Sequence, residues 1–453
     1  MERISNNLSN SRTRIAERLT EISSKFGYDE QHKVNLEKIY RNTDAAIIPE
    51  GVTNPANVPV LKNVSVDLIS ATVPNLVAPE LYAVQPIDSP DALVGYWSFE
   101  YGDDKGEALR GQTFNSSLGL GNTKPYYSSS LVKDEAIKVA IAASESVKST
   151  DKLSFTSVIP GSVKLTTGGA THTDDGKGGF TGLTDVTIDY VTGVITNAST
   201  TAAVEGKITY NYDNVNEPTK IPTLFAGRKN LRMQAKQYAL STPISITAAE
   251  IARRSLSTDL RAELTAQGAG ELAFEIDCLL LNDIIDSATA YTPLTWSAVA
   301  PLGVTRKERF SDFELALNQG AAVMGKATGR FYPTHILTDP MGLWVIKSIP
   351  GFKEKAATNK TGAYVAGELD NGMKVVVSTR THLEPGQVLL IHRGAEKLDA
   401  PGVYSPYISI TSTDWIPSQE LGEKKTYYTW YASKITNNSL IFPIQIQNLG
   451  AMM

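Results

Sequence analysis

The strongest pattern in the sequence is a run of helical spacing over residues 244–287. Its apolar positions recur every three or four residues, at Ile251, Leu256, Leu260, Leu264, Leu272, Ile276, Leu279, Leu280 and Ile284. A continuous helix of this extent would be about 60 Å long at ~1.5 Å per residue. Gly268-Ala269-Gly270 interrupts the run and predicts a kink or a break there. So long an element suits the backbone of an extended subunit better than the core of a compact enzyme.

A sharp change of composition lies between two strand-like stretches. The first stretch, residues 94–101, carries aromatic side chains that favour a pleated surface, and the second, residues 231–240, has alternating apolar positions. Residues 151–217 are rich in Thr, Gly, Val and Asp, with a strand–turn–strand pattern at 187–196. If the two outer stretches pair, everything between them belongs to one long hairpin. We therefore predict a hairpin at 91–240 that carries an inserted all-β module at about 151–217.

The first 60 residues predict a helical arm followed by a linker. One apolar helix face runs through residues 15–26, a second short helix is predicted at 29–41, and residues 48–59 are rich in Pro, Gly and Asn. Because an isolated short helix is marginal in water, the arm needs a packing partner. That partner is either a neighbouring molecule or scaffold, or the chain's own domain, and the sequence favours neither.

The remainder of the chain mixes helices and strands without a regular βαβ repeat. Helices are predicted at 312–326 and 339–348, and strands at 335–338, 373–379, 387–392, 403–411, 425–433 and 440–447. The fold class that this order indicates is α+β.

Bulk composition excludes several classes of protein. Apolar residues make up 42% and charged residues 20%, which is typical of a globular chain with a real core. The net charge of -5 gives no overall basic signal for nucleic-acid binding. Cys278 is the single cysteine, which rules out an intrachain disulfide framework and a multi-cysteine zinc site. The polar first ten residues and the lack of any run near ~18 apolar residues predict a soluble protein made in a cytoplasm.

A search for chemistry finds only weak candidates. No two histidines have the HExxH spacing, Gly178 follows Lys177 where a P-loop needs Ser or Thr, and no GxSxG motif is present. The best metal candidate is the loop at 172–179, in which Asp174 and Asp175 offer oxygen ligands, although adjacent carboxylates in a Gly-rich segment are more typical of a solvated turn. We therefore predict no catalytic, cofactor-binding or metal-binding residues.

Two other clusters have a structural and a functional interpretation. Arg228, Lys229, Arg232 and Lys236 form a basic cluster that fits nucleic-acid contact or, more readily, a charged edge between subunits. The aromatic run at 427–431 could stack on bases, but a core strand is favoured.

Several segments, in this order, resemble the major head protein of T-even-type phages. They are 71–78 (ATVPNLVA), 83–90 (AVQPIDSP), 259–262 (DLRA), 371–377 (NGMKVVV) and 400–407 (APGVYSPY). Ile87 stands where that family has Met, and no match can be quoted within the β module.

The resemblance implies the Hong Kong 97-type capsid fold. The chain would divide into an N-terminal arm, the entry to the P-domain, an E-loop hairpin with its inserted module, a spine helix with more of the P-domain, an A-domain, and C-terminal strands that return to the P-domain. The corresponding ranges would be 1–60, 61–90, 91–240, 244–300, 301–400 and 401–453.

The function implied is that of a major capsid protein, located in the virion. Its copies would form hexamers and pentamers of an icosahedral head shell around packaged double-stranded DNA, which is not bound sequence-specifically. Portal, scaffold and decoration or vertex proteins would be further partners, with no membrane contact and no cofactor. The alternatives are an encapsulin-like compartment shell, a pentameric vertex paralogue and, from another class, a hydrolase built on Asp174 and Asp175.

Proteolytic trimming is a further question for such a protein. T-even-like head proteins are cut after Ile/Leu-x-Glu, and this loose pattern ends at Glu17, Glu21 and Glu50. We expect no cleavage in this chain.

Overall fold

A computed structural model describes most of the chain. The described residues are 30–46, 76–112, 124, 126–140, 148–200, 203–214, 221–256, 259–355, 362–394, 399–418 and 422–449. The helix predicted at 15–26, the linker at 48–59 and the three protease motifs lie outside these residues.

The chain divides into two compact units. The first contains Met1–Val94 and Asn230–Met453, and the second is Gly95–Lys229. The described α-helices are α1 (Glu30–Ala46), α2 (Ala78–Leu81), α3 (Ile246–Ile251), α4 (Leu260–Asp286), α5 (Arg306–Ser311), α6 (Phe313–Thr328) and α7 (Pro340–Ile346). The strands up to residue 245 are β1 (Ala83–Val84), β2 (Asp91–Tyr101), β3 (Leu131–Val139), β4 (Ser149–Lys152), β5 (Lys164–Thr167), β6 (Ala170–Thr173), β7 (Gly179–Phe180), β8 (Leu183–Asp189), β9 (Val194–Asn197), β10 (Val204–Asn211), β11 (Leu224–Gln234) and β12 (Lys236–Ser245). The later strands are β13 (Leu294–Ser297), β14 (His335–Thr338), β15 (Lys353–Glu354), β16 (Tyr364–Glu368), β17 (Lys374–Val377), β18 (Gln387–Ile391), β19 (Gly402–Ser412), β20 (Ile416–Ser418), β21 (Gly422–Ile435) and β22 (Ile441–Gln447).

A seven-stranded sheet, in the order β13-β22-β18-β14-β17-β16-β15, forms the centre of the first unit. Both faces of its central strands β14, β17 and β18 are buried. Val375 and Leu390 pack in the same core as Phe313 of α6, whereas Val376 and Leu389 pack in the core that contains α4. The continuous apolar runs of β17 and β18 therefore reflect strands that have no solvent face.

The second sheet of this unit has the order β1-β19-β21-β12, with β20 added on β21. Helix α1 covers β19 by burying Leu36, Ile39 and Tyr40. The amide of Asn42 fixes the helix further by donating to the carbonyl oxygen of Ile87 at 2.7 Å. Residues 30–46, which the predicted arm included, thus pack on the chain's own sheet.

Helix α4 has no break at its glycines, contrary to the sequence prediction. It runs unbroken for 27 residues, which is about 40 Å at ~1.5 Å per residue. Gly268 is buried instead against β21, where a Cβ atom would lie only 2.5 Å from Cε2 of Tyr427. The glycine serves close packing rather than a kink. The helical run changes earlier, where α3 passes into a π-helical turn at Ala252–Leu256.

The strands after residue 401 are divided between the two sheets. Strands β19 and β21 pair with each other, and β21 also pairs with β12, whereas β22 pairs with β18 and β13. The sequence analysis had assigned all three to one domain. Because each of them is apolar and strand-like, their pattern carries no information about which sheet they join.

The second unit contains two four-stranded sheets, β3-β10-β5-β6 and β4-β9-β8-β7, around one core. Val132, Leu165, Ile195 and Ile208 are among the fully buried side chains of this core. Strand β3 pairs with β10 along its length, yet it begins 20 residues before the predicted module boundary at 151. Its sequence, LVKDEAIKV, lacks the Thr- and Gly-rich composition that marked the predicted module.

Candidate assembly interface

Strands β2 and β11 form a two-stranded ribbon. The N–H of Ala235 donates to the carbonyl oxygen of Pro90 at 2.7 Å, and the N–H of Gly102 donates to that of Thr223 at 2.8 Å, so the strands run antiparallel. In the part of the chain that the structure describes, no third strand joins them. The predicted partner at 231–240 is only partly right. Buried Ala235 separates it into the end of β11 and the start of β12, and β12 pairs with β21 instead.

The ribbon exposes large apolar side chains. Leu93 is 63% exposed, Phe99 44%, Leu224 54% and Phe225 53%. A two-stranded sheet is marginally stable in water by itself, and large apolar side chains exposed on such an element suit a contact with another molecule. The ribbon is therefore the first candidate for an interface with another molecule.

Three residues of the basic cluster, Arg228, Lys229 and Arg232, lie in β11 of the ribbon, whereas Lys236 begins β12. Arg232 makes a bidentate contact with Asp91, at 3.0 and 2.5 Å, and this hydrogen bonding lowers the pKa of the Asp91 carboxyl. The guanidinium of Arg228 lies close to Gly95. A Cβ atom built on Gly95 would be 2.9 Å from Nε of Arg228. These cross-strand contacts favour a structural role over nucleic-acid binding for the two arginines.

Lys105 is the centre of a buried hydrogen-bonded cluster in the second unit, and its sequence context does not mark it as such. Its Nζ donates to the carbonyl oxygen of Tyr127 at 2.8 Å, to that of Ser129, and to the hydroxyl of Tyr212 at 3.3 Å. It also lies 5.0 and 5.3 Å from the ring centroids of Tyr212 and Phe155. Burial lowers the pKa of Lys105 to about 8. The Lys105 cluster connects the segment that follows β2 to the core of the β unit.

The metal candidate at 172–179 is a hydrogen-bonded turn. Asp174 accepts hydrogen bonds from the Tyr190 hydroxyl at 2.6 Å and from two backbone N–H groups at 2.6 and 3.0 Å. Asp175 accepts two backbone N–H groups of its own turn at 2.7 and 2.9 Å. The His172 ring contacts the carbonyl oxygen of Thr181 at 2.9 Å. Over the described ranges, no three His, Cys, Asp or Glu side chains converge as metal ligands would.

The aromatic run at 427–431 lies in β21, with alternate side chains in the core. Tyr427 and Tyr431 are buried, and the Tyr427 hydroxyl donates to the carbonyl oxygen of Leu264 in α4 at 3.3 Å. Tyr431 stacks on Tyr238 with ring centroids 4.6 Å apart. These two rings are therefore used for packing and are not available to stack on bases.

Two acidic groups hold the segment before β1 in place. Buried Asp277 of α4 accepts the backbone N–H of Val77 with both carboxylate oxygens, at 3.0 and 3.1 Å. Glu80 lies 3.8 Å from His335 Nε2 and 3.0 Å from Lys374 Nζ. His335, followed by Lys374, lowers the pKa of Glu80 to about 2. The segment is thus fixed to α4 at one point and to the seven-stranded sheet at another.

Sequence patterns differ in how well they indicate these residues. Asp277 is a lone acid on an apolar helix face, and that position alone could have marked it as a buried hydrogen-bond acceptor. Lys105 stands in the polar run DDKGE, where nothing distinguishes it from a solvated lysine. Its role arises only because Tyr127 and Tyr212, distant in sequence, meet over it.

The family model of the major capsid protein Gp23 matches residues 58–449. The chain belongs to this family. The phage major capsid protein predicted from the sequence is thereby confirmed, and so is the mixed α+β architecture, with the Hong Kong 97-type fold that the family implies.

Solved structures give partial likenesses to this Gp23 family member. The mature capsid of bacteriophage PhiM1 has 14% identity and a TM-score of 0.37 over 52% of this chain and 79% of that one. The capsid of Myoviridae phage XM1 has 7% identity and a TM-score of 0.35 over 51% and 81%. The SrpI encapsulin of Synechococcus elongatus has 10% identity and a TM-score of 0.33 over 49% and 77%. Comparison with the curated proteins gives no match.

The family places this chain among the structural subunits of phage head shells, so a location in the virion shell follows. The encapsulin-like alternative is not favoured, because the match is to a phage capsid family. Among the described helices, none has the length and apolar character needed to cross a bilayer.

Proposed function

We propose that this chain builds its shell from hexamers and pentamers, and that the β2–β11 ribbon provides one of the contacts between neighbouring copies. The observation that carries the proposal is the Gp23 family match over residues 58–449. A stable pairwise interface buries about 1,600 Å² in total, and ring symmetry repeats that contact around the capsomer. Exposed apolar residues on a thin ribbon supply such area with few residues.

The domain assignment is part of the same proposal. The ribbon and the β unit correspond to the E-loop and its insertion. Helix α4 with the sheet of β19, β21 and β12 corresponds to the P-domain, and the seven-stranded sheet with α5, α6 and α7 corresponds to the A-domain. The last assignment extends the A-domain beyond residue 400, because β22 pairs with β18.

Further partners follow from the same reasoning. A shell subunit with a net charge of -5 encloses packaged DNA without a specific binding site for it. Portal, scaffold and decoration or vertex proteins are the expected protein partners, and host cytoplasm is the expected place of synthesis. We assign no catalytic role, because Asp174 already accepts the Tyr190 hydroxyl and Asp175 already accepts backbone N–H groups of its own turn.

The ribbon contact is tested by the substitution Phe225→Asp. Phe225 is 53% exposed in one chain, so the charge is tolerated in the free subunit but would be buried on assembly. Val34→Asp, at a 56% exposed position of α1, is the matched control. Sedimentation velocity of the purified proteins is expected to show assemblies for the wild type and the control, and loss of assemblies for Phe225→Asp. Equal assembly of all three would contradict the ribbon contact.

A further inference from the structure

Strand β12 forms the longest open sheet edge among the described strands of the first unit. Its residues pair one to one with β21, from Lys236 opposite Tyr431 to Ser245 opposite Gly422, without a bulge. On its other side no described strand pairs with it. The other edge strands of the two sheets, β1, β13, β15 and β20, are between two and four residues long.

An open edge is normally protected against pairing with another chain. Charged residues, proline, bulges and short length are the usual means. In β12, Lys236 and Pro243 stand near the two ends, and the six residues between them, QYALST, contain neither charge nor proline. Gln237, Ala239 and Ser241 of this stretch are exposed. The middle of the strand therefore offers regularly spaced backbone donors and acceptors with nothing that opposes a further strand.

We propose that this edge accepts a strand from a second copy of this chain, so that the sheet continues from one subunit into the next. The inference rests on the shell function proposed above and adds a backbone contact that the ribbon does not supply. Two β12 edges are compatible with each other in antiparallel pairing. When the pair is centred on Ala239, Lys236 lies opposite the partner's Thr242, so no like charges meet. Such a contact is self-complementary, as a two-fold interface requires.

Hydrogen exchange of the full chain tests this contact directly. The backbone amides within 237–242 that point away from β21 are expected to exchange about tenfold more slowly in assembled shells than in free subunits, because a new strand would take up these outward N–H groups. Amides of the central strand β17 are the internal control and are expected to be protected equally in both states. Shells in which 237–242 exchange as fast as in free subunits would overturn this inference alone. An absence of shells would overturn the proposed function and this inference together.

A charged variant gives a second readout. The double substitution Ala239→Lys and Ser241→Lys adds charge along the open edge, and its matched control is Thr184→Lys with Thr187→Lys, two exposed positions of β8. Both variants are expected to retain the urea-unfolding midpoint of the wild type. Assembly is expected to fall at least about tenfold in the edge variant only. A folded edge variant that assembles like its control would also overturn the inference.

Discussion

At the residue scale, Gly268 decides how closely the longest helix lies against its sheet. The substitution Gly268→Ala places a Cβ atom 2.5 Å from the buried ring of Tyr427, so the helix or the ring must shift. Overpacking of this kind costs about 1–3 kcal/mol. We expect a lower urea-unfolding midpoint for the purified subunit.

Gly270 provides the control for that prediction in the same helix. It is exposed, and no heavy atom lies within 4 Å of the position its Cβ would take. Gly270→Ala is therefore expected to raise stability by about 0.5–1 kcal/mol, which is the helix propensity difference between the two residues. A similar gain for Gly268→Ala would show that the close packing against Tyr427 is absent.

Glu80 makes the attachment of the segment before β1 dependent on pH. Its pKa is lowered from 4.5 to about 2 by His335 and Lys374. A carboxyl whose pKa falls on folding contributes its full stabilisation above the unfolded value and loses it as pH falls from 4.5 towards 2. The stability difference between the wild type and Glu80→Gln is therefore expected to shrink as the pH falls below 4.5. Urea midpoints measured at pH 6, 4 and 3 check this, and a difference that does not change with pH would contradict it.

Lys105 stabilises the second unit through its buried hydrogen bonds. In Lys105→Met, the apolar stem is retained but the carbonyl oxygens of Tyr127 and Ser129 lose their donor. Leaving buried acceptors unpaired costs about 1–3 kcal/mol. Lys164→Met, at an exposed position of β5, is the control and is expected to have little effect. Thermal unfolding followed by circular dichroism distinguishes the two variants, and equal unfolding midpoints would contradict the stabilising role of the Lys105 cluster.

At the scale of elements, local pattern was a good guide to strands and helices and a poor guide to their partners. The strand predicted at 335–338 is β14, and the helix predicted at 339–348 is α7, which Asp339 caps by accepting the N–H groups of Met341 and Gly342. Such capping and periodicity are local and therefore visible in the sequence. The pairing of β12 with β21 joins residues almost 200 positions apart, and no local signal specifies it.

The β unit illustrates the same limit and gives a prediction of its own. Its strand β3 was missed because the sequence LVKDEAIKV lacks the Thr- and Gly-rich composition of the predicted module, and its partner β10 is distant in sequence. We propose that the unit braces a neighbouring subunit. Replacing residues 131–213 with a short flexible linker is then expected to leave assembly possible but to lower the temperature at which shells come apart. Shells of unchanged thermal stability, measured by light scattering, would contradict the bracing role.

At the scale of the whole molecule, each compact unit has its own core, but the ribbon and the β12 edge each have one side without a described partner. Under the proposed shell function, neighbouring copies would cover both surfaces on assembly. Membership of the Gp23 family agrees with a subunit that packs against neighbouring copies.

Electron microscopy of the purified full-length chain tests the central claim most directly. Protein expressed without other phage components and examined in negative stain is expected to show rings, tubes or closed shells of regular capsomers. A monodisperse population of monomers, at concentrations where the chain is folded by circular dichroism, would contradict the account.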